Sequence, residues 1–306
     1  MDKYLLLLSR KNSQFFYGIK NTEQVSVYNI YRDMSIPERV LRKIMIKLRI
    51  NIDRYYDSWK FDTNDYTKII MEDGSLDDGI FSYLRKIFPH AQLIYWFRNS
   101  LNAVDYVRVR DLHIKHAKLC DRVLSFDQSD SCQFGYEYIE NPYVIDKSLV
   151  ADSLKYDMIF LGSDKSRYES IMHVIRYTEH LGWNNFVYIY SKTKPADKYI
   201  GNHFVAYRDY LKEMIKSKAI LDIVDVNYQH GYSLRIFEAV FYKKKLISNS
   251  KSLLNEPFYH PNNIFIISPD DESSFDGLLE FMQRPWVDVD TEIIKKYDFY
   301  NWIKRI

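Results

Sequence analysis

Cysteine is scarce in this sequence of 306 residues, where Cys120 and Cys132 are the only two. They stand twelve positions apart, which is not the spacing of a metal site. Two cysteines also cannot form the framework of disulfides that holds small secreted domains together. A reducing cytoplasm is therefore the expected compartment.

Long hydrophobic runs are absent as well. The four leucines of "MDKYLLLLSR" are too few for a signal-peptide core or a membrane span, and no other segment approaches about eighteen uninterrupted apolar residues. Peripheral contact with a membrane is the option that remains. The segment "ERVLRKIMIKLR" mixes apolar and basic residues and is a candidate for docking on an anionic inner leaflet, with a core-packed helix as the alternative.

Neither sign of charge dominates. The chain has 43 Lys and Arg against 41 Asp and Glu, a formal net charge of +2, so no global field indicates nucleic acid as a partner. Glycine-rich fingerprints of the Rossmann and P-loop types are missing too. Aromatic residues are plentiful at 16%, which suits both cores and stacking against sugar rings.

Short apolar runs alternate with segments of helical periodicity, a pattern typical of βαβ units and parallel sheets. Strands are expected in KYLLLLS, QVSVYNIY, TKIIME, QLIYWF, RVLSF, DMIFLGS, NFVYIYS, AILDIVDV, KKLISN and NIFIIS. Two such series predict an α/β protein of two Rossmann-like domains, over residues 1–150 and 151–285. The boundary is placed in "NPYVIDKSLVADSLKYD", where the regular pattern lapses.

Ligands of open α/β sheets bind at the carboxyl ends of strands, so the residues that follow each apolar run are informative. After "DMIFLG" the sequence places Gly162, Ser163, Lys165 and Arg167, a turn and two cations before a helix. This arrangement suits a diphosphate. The alternative is a solvated capping turn with surface Lys and Arg.

A second candidate anion site lies in "YQHGYSLRIFEAVFYKKKLISN". Gly231 permits close backbone approach, Ser233 is suited to cap a helix, and the amides of Tyr232 to Leu234 can donate to phosphate oxygens. Arg235 adds a charge-assisted hydrogen bond. Glu238 either forms an i,i+3 ion pair with Arg235 or accepts hydrogen bonds from the vicinal hydroxyls of a ribose.

The same stretch, with "FYHPNNIFII" after it and "MIFLGSDKSRY" before it, resembles the donor-binding half of GT-B-fold glycosyltransferases. More narrowly, it is similar to bacterial enzymes of lipopolysaccharide and capsular polysaccharide assembly. With "LSFDQSDSCQFGYEYIENPY" the resemblance covers roughly residues 120 to 302. It implies a GT-B-like fold in which an acceptor-binding first domain and a nucleotide-sugar-binding second domain flank an interdomain cleft. It also implies that residues 286–306 form a helical segment that packs back on the first domain.

The resemblance implies roles for individual residues. Glu238 would hold the ribose of a nucleotide-sugar, residues 231–233 would meet its phosphates, and Lys165 and Arg167 would neutralise the leaving diphosphate. The nucleotide-sugar is a substrate, and neither a metal nor another cofactor is implied. One departure is His230, because many retaining members carry a second glutamate at that position.

Strand ends of the first domain supply candidates for a catalytic base, which an inverting transfer needs to take the acceptor hydroxyl proton. Asp73 in "IIMEDGSLDD" is the first choice, since it follows an apolar run and precedes a glycine. Asp127 in "LSFDQSD" is the alternative, and Asn99 in "WFRNS" lies at a similar position. A helix-capping role is the competing interpretation of the acidic residues.

The sequence thus predicts a metal-independent, hexosyltransferase-like glycosyltransferase of the cytoplasm, with peripheral contact on the inner membrane face as an option. Its expected partners are a nucleotide-sugar donor and a glycan or lipid-linked acceptor of lipopolysaccharide or capsule assembly. A non-catalytic nucleotide-sugar or glycan-binding protein of the same fold is the alternative. A nucleotide-sugar epimerase or dehydrogenase is disfavoured by the missing glycine fingerprint.

Overall fold

The chain forms two compact units in a computed structural model that describes residues 2–9, 14–74, 77–103 and 106–306. The units are Met1–Glu140 and Asn141–Ile306. The division falls after Glu140, so residues 141–150 group with the second unit. The two units are described separately below.

The first unit contains a parallel sheet whose described strands run in the order β2-β1-β3-β4-β5-β6. They are β1 (Tyr4–Leu8), β2 (Val25–Asn29), β3 (Lys68–Glu72), β4 (Gln92–Phe97), β5 (Arg122–Ser125) and β6 (Glu137–Tyr138). Its helices are α1 (Ile36–Lys47), α2 (Gly79–Ile87), α3 (Arg110–Ala117) and α4 (Gln128–Phe134). Every residue of β1 is buried, as expected for a strand covered on both faces.

The second unit contains a second parallel sheet in the order β12-β11-β10-β7-β8-β9. Its strands are β7 (Tyr156–Ser163), β8 (Asn185–Tyr190), β9 (Ile200–Gly201), β10 (Ser217–Asp222), β11 (Lys245–Ser248) and β12 (Ile264–Ile266). Its helices are α5 (Tyr168–His180), α6 (Tyr207–Met214), α7 (Leu234–Phe241), α8 (Leu278–Gln283), α9 (Thr291–Tyr297) and α10 (Phe299–Trp302). Read from its β9 edge, this sheet has the strand order of the Rossmann fold, with the connections reversing between β7 and β10.

The local sequence explains the helices around this reversal. In α5 the buried residues Ile171, Val174 and Ile175 recur at helical spacing and pack on the sheet. The helix ends at His180, and Gly182 takes a positive φ of 80°, which glycine adopts without strain.

The last helices belong by their contacts to the second unit. The amide of Tyr143 donates to the carbonyl of Tyr297, and the amide of Phe299 donates to the carbonyl of Tyr143. The ring of Tyr297 lies 4.9 Å from that of Phe237 in α7. These contacts fix α9 against α7 and tie the start of α10 to Tyr143, while the packing of residues 286–306 on the first domain stays a prediction.

The α/β class and the two Rossmann-like domains expected from the sequence are confirmed, and each of the ten predicted strands is present. The sequence missed β6 and β9, which are edge strands of two residues. Within the described ranges, no helix is long and apolar enough to cross a membrane.

Candidate active site

The carboxyl ends of β7 and β10 bring together two regions that lie far apart in the sequence. The side chain of Arg235, from the first turn of α7, crosses over Gly162 near the end of β7. Its Nη2 donates to the carbonyl of Leu161 at 2.8 Å. A Cβ atom at residue 162 would lie only 2.2 Å from Nη2, so glycine is required for this path. The structure therefore joins two of the predicted donor-binding segments.

Arg167, the second predicted cation, lies beside Arg235. The two guanidinium carbons are 6.0 and 5.0 Å from the centroid of the same ring, that of Phe160. Arg167 donates through Nη1 to the carbonyl of Ile223 and through Nη2 to that of Ser163. Burial, with the charge of Arg235 next, lowers the pKa of Arg167 to about 10, so Arg167 is still cationic at neutral pH.

One buried donor of this pair has no acceptor within the described residues. Nε of Arg167 is buried and has no hydrogen-bond acceptor there. A buried donor without a partner costs free energy unless a ligand or water satisfies it. The arginine pair is thus suited to bind an anion with several oxygens, such as a diphosphate.

Asp222, the last residue of β10, holds the arrangement together. Its fully buried carboxylate accepts a hydrogen bond from Ser233 at 2.7 Å and one from Ser248 at 3.3 Å. It also lies 3.5 Å from Nη1 of Arg235. The carboxylate thereby connects β10, β11 and the start of α7, and it balances part of the local positive charge.

The start of α7 differs from the sequence expectation in one detail. Ser233 is the N-cap residue, but its hydroxyl donates to Asp222 and the helix has no side-chain cap. Tyr232 donates to Glu256 at 2.6 Å, and Gly231 is buried, with its carbonyl accepting from Gln229. An uncapped helix start beside two arginines favours anion binding.

The loop between β7 and α5 contributes the remaining predicted cation. Lys165 and Ser166 both take positive φ, 44° and 63°, so the chain makes a left-handed turn directly after Asp164. Lys165 is exposed in this turn, whereas Arg167 is drawn inward to the strand ends. The structure thus groups Gly162, Ser163 and Arg167 with Arg235 and places Lys165 at the periphery.

Glu238 lies in the interior of the second unit, with 1% of its surface exposed. Its two carboxylate oxygens accept hydrogen bonds from Tyr207 at 2.8 Å and from Tyr210 at 2.5 Å. Burial raises the pKa of the Glu238 carboxyl. The glutamate therefore ties α6 to α7 and, in this structure, offers its oxygens to tyrosines rather than to solvent.

In the first unit, Asp73 follows β3 and is 3% exposed. Its carboxylate accepts from the amide of Arg98 at 3.1 Å and from the amide and side chain of Asn99 at 3.2 and 3.0 Å. Burial, with the neighbouring charge of Glu72, raises the pKa of Asp73 to about 7. A carboxyl group with this pKa can exchange a proton near neutral pH.

Glu72 next to Asp73 is fully buried and forms an ion pair of 2.7 Å with Arg98. Arg98 also lies over the ring of Phe16 at 4.5 Å from its centroid. Glu72 further accepts from the amide of Ser9, so it connects the ends of β1, β3 and β4. Asp73 and Asn99 are thus brought together at the ends of β3 and β4, and β3 borders the point where the strand order of the first sheet reverses.

Asp127 occupies a different environment. It is the N-cap of α4, is fully buried, and accepts from the amides of Ser129 and Asp130. These are the contacts of a helix cap. A catalytic role for Asp127 stays a prediction.

Three residues of the candidate site in the second unit were not identified from the sequence, namely Asp222, Tyr207 and Tyr210. A signal for Asp222 existed, because an aspartate inside the apolar run "AILDIVDV" has to find partners when that run is buried. No comparable signal marked the tyrosines, which are two of 27 in the chain. Among the described residues, no group of three or more His, Cys, Asp or Glu side chains is placed to hold a metal ion.

Comparisons with known proteins bear on the fold. No protein-family model and no curated protein sequence matches the chain. A solved "alpha-glucosyltransferase in complex with UDP and a 13-mer DNA containing a central A:G mismatch" is similar over 98% of this chain and 96% of its own, with 13% identity and a TM-score of 0.53. A "lipopolysaccharide outer core galactosyltransferase WaaB apo form" is similar over 99% and 97%, with 12% identity and a TM-score of 0.46. The first likeness confirms the GT-B-like fold that the sequence indicated.

Proposed function

We propose that this chain is a glycosyltransferase that moves a sugar from a nucleotide-sugar to a glycan acceptor. The observation that carries the proposal is the meeting of Arg167 and Arg235 over Phe160 at the reversal point of the second sheet. Guanidinium groups bind phosphate oxygens through paired hydrogen bonds. The α-glucosyltransferase of the same fold was solved with UDP, a nucleoside diphosphate.

In the proposed reaction, the oxygen of an acceptor hydroxyl attacks the anomeric carbon of the donor sugar. The bond from that carbon to the diphosphate breaks, and the leaving oxygen takes the electron pair. Arg167 and Arg235 stabilise the negative charge that develops there, aided by the uncapped start of α7. Gly231, Tyr232 and Ser233 supply this start and complete the phosphate site.

For an inverting transfer, the acceptor proton passes to a base, and Asp73 is the residue proposed for this role. Its pKa of about 7 lets it act near neutral pH. The three donors around its carboxylate come from two consecutive residues, Arg98 and Asn99, which fix its orientation. A retaining reaction would need no base of this kind.

The role of Glu238 has two versions. The family resemblance implies direct binding of the donor ribose, which requires a tyrosine hydroxyl to be shared or displaced. The contacts with Tyr207 and Tyr210 favour a positioning role, in which Glu238 holds α6 against α7. The two versions predict different binding of nucleotides and of inorganic diphosphate.

The finer parts of the proposal rest on the sequence resemblance. They are a hexose as the sugar, a lipopolysaccharide or capsular acceptor in a bacterium, a cytoplasmic location and transfer without a metal. The alternative, a non-catalytic binding protein, is favoured by His230 at the position of a common family glutamate. Turnover of a nucleotide-sugar separates the two.

The test combines binding with turnover. UDP, GDP, CMP and dTDP are added to the wild type, to Arg167→Met and to Arg235→Met, and the rise in melting temperature is measured. Arg176→Met, an exposed arginine of α5, is the matched control. One nucleotide should stabilise the wild type and the control but neither site variant, and its sugar conjugate should be consumed.

Binding without consumption of any sugar conjugate, with or without a glycan acceptor, would favour the non-catalytic alternative. Equal stabilisation of the wild type and both site variants would contradict the proposed diphosphate site.

A further inference from the structure

Helix α1 exposes its apolar side. Ile36, Ile44 and Leu48 have 71%, 49% and 63% of their surface accessible, and Val40 and Leu41 are exposed as well. Successive residues of an α-helix turn by about 100°, so these side chains form one stripe along the helix. Large apolar residues clustered in this way mark a surface that contacts another phase or molecule.

A surface helix usually packs its apolar side on the core, and α1 does the reverse. Its one buried residue is Arg42, whose guanidinium carbon lies 3.7 Å from the centroid of the Tyr31 ring. Met45 and Ile46 pack partly on the core. The hydroxyl of Tyr31 donates to the buried Asp77 at 2.7 Å, which fixes the ring beneath Arg42. The helix is thus held by a cation–π contact while its larger apolar stripe points outward.

A row of cations borders the stripe. Arg39, Lys43 and Lys47 recur every four residues, all are exposed, and the row lies next to that of Ile36, Val40, Ile44 and Leu48. The one acidic residue of α1 is Glu38, which accepts from Arg32 at 2.7 Å and from the amide of Ser35. The exposed face is therefore apolar and cationic.

We propose that α1 docks flat on a lipid bilayer that contains anionic lipids. A stripe of large apolar side chains flanked by Lys and Arg matches the boundary between acyl chains and anionic headgroups. A helix of 12 residues is about 18 Å long, which suits lying in this boundary and not crossing it. The positive border favours an anionic surface over a second copy of the chain, which would bring like charges together.

This inference does not rest on the transfer reaction, because lipid binding and nucleotide binding are measured separately. The purified full chain is mixed with vesicles of phosphatidylcholine, with or without phosphatidylglycerol, and the bound fraction is measured by sedimentation. Two double variants test the two parts of the surface: Val40→Ser with Ile44→Ser, and Lys43→Gln with Lys47→Gln. Val150→Ser with Leu279→Ser, which changes two exposed apolar residues of the second unit, is the control.

The wild type and the control should bind vesicles that contain phosphatidylglycerol, and each α1 variant should bind about tenfold more weakly. Binding of the charge variant should also depend less on salt than that of the wild type, because Arg39 alone remains of the cationic row. Melting temperatures of all variants should match the wild type, since the changed side chains are exposed.

Failure of the wild type to bind anionic vesicles would overturn the proposal, as would unchanged binding by both α1 variants. Light scattering, which measures the oligomeric state, tests a further outcome that would contradict the proposal. A wild-type dimer that ignores vesicles and dissociates on Val40→Ser with Ile44→Ser would assign this face to self-association.

Discussion

The side chain of Arg235 occupies the space that a Cβ atom on Gly162 would need, with Nη2 of the arginine 2.2 Å from that position. A glycine near the end of β7 thus admits an arginine from α7, and the sequence separates the two by more than seventy positions. This relationship joins the two segments that the sequence proposed as anion sites.

The first prediction follows from this crossing. Gly162→Ala should displace the flexible end of Arg235 and weaken binding of the nucleoside diphosphate about tenfold, with little change in stability. Binding is measured by titration calorimetry and stability by urea denaturation. In an Arg235→Ala background, Gly162→Ala should weaken binding almost no further, because the side chain that it would displace is absent. Additive losses would contradict the displacement.

The second prediction concerns Asp222. Asp222→Ala should lower the free energy of unfolding by about 3 kcal/mol, since it leaves Arg235 unpaired in a largely buried site and removes the acceptor of two serines. Urea denaturation measures the change. Asp152→Ala, at an exposed position of the same unit, should change stability by less than about 0.5 kcal/mol. Equal effects of the two substitutions would argue against Asp222 as the connecting residue.

The third prediction separates the two versions of the Glu238 role. If Glu238 binds ribose, Glu238→Gln weakens the nucleoside diphosphate but not inorganic diphosphate. If it holds α6 against α7, the substitution affects both ligands to the same small extent, and Tyr210→Phe destabilises the protein by about 1 kcal/mol. We expect the second pattern, given the contacts with Tyr207 and Tyr210.

Glu238 also makes stability depend on pH. Its pKa is raised in the folded protein above the ordinary value of 4.5, so the folded state favours the protonated form. The wild type should therefore lose stability relative to Glu238→Gln as the pH rises above about 4.5. Urea denaturation at several pH values measures the difference. A difference that stays constant with pH would contradict the raised pKa.

The fourth prediction concerns Asp73 as the base. Because its pKa is about 7, kcat/KM of the wild type should rise with pH up to about 7 and then level off. Asp73→Asn should reduce the rate about a hundredfold while leaving nucleotide binding unchanged. Asp127→Ala is the control, and it should lower stability through loss of its helix cap without changing the pH profile. A pH-independent rate in the wild type would remove Asp73 from the proton transfer.

The sequence predicted the strands well because they depend on local pattern, and it proposed the donor segments from the ends of those strands. An apolar run such as that of β7 can be recognised in the sequence itself, and ligand sites of α/β sheets lie after the ends of such runs. The sequence could not give the partners of Glu238, since the choice between Arg235, a ribose and a tyrosine depends on how α6 packs. Arg235 instead contacts Leu161 in β7 and Asp222 in β10.

Helix α1 is a second feature that the sequence predicted only in part. Its periodicity predicted a helix, and the structure places that helix at Ile36–Lys47. Periodicity alone does not say which side faces the core, and the apolar stripe would ordinarily be assigned inward. Only the contact of Arg42 with Tyr31 reveals the opposite orientation.

The central claim is that a nucleoside diphosphate binds at the ends of β7 and β10 in the second unit. The most direct test is a crystal structure of the protein with the nucleotide that gives the largest thermal shift. Phosphate oxygens should lie within hydrogen-bond distance of both Arg167 and Arg235, next to the start of α7. A nucleotide bound elsewhere, with neither arginine in contact, would contradict it.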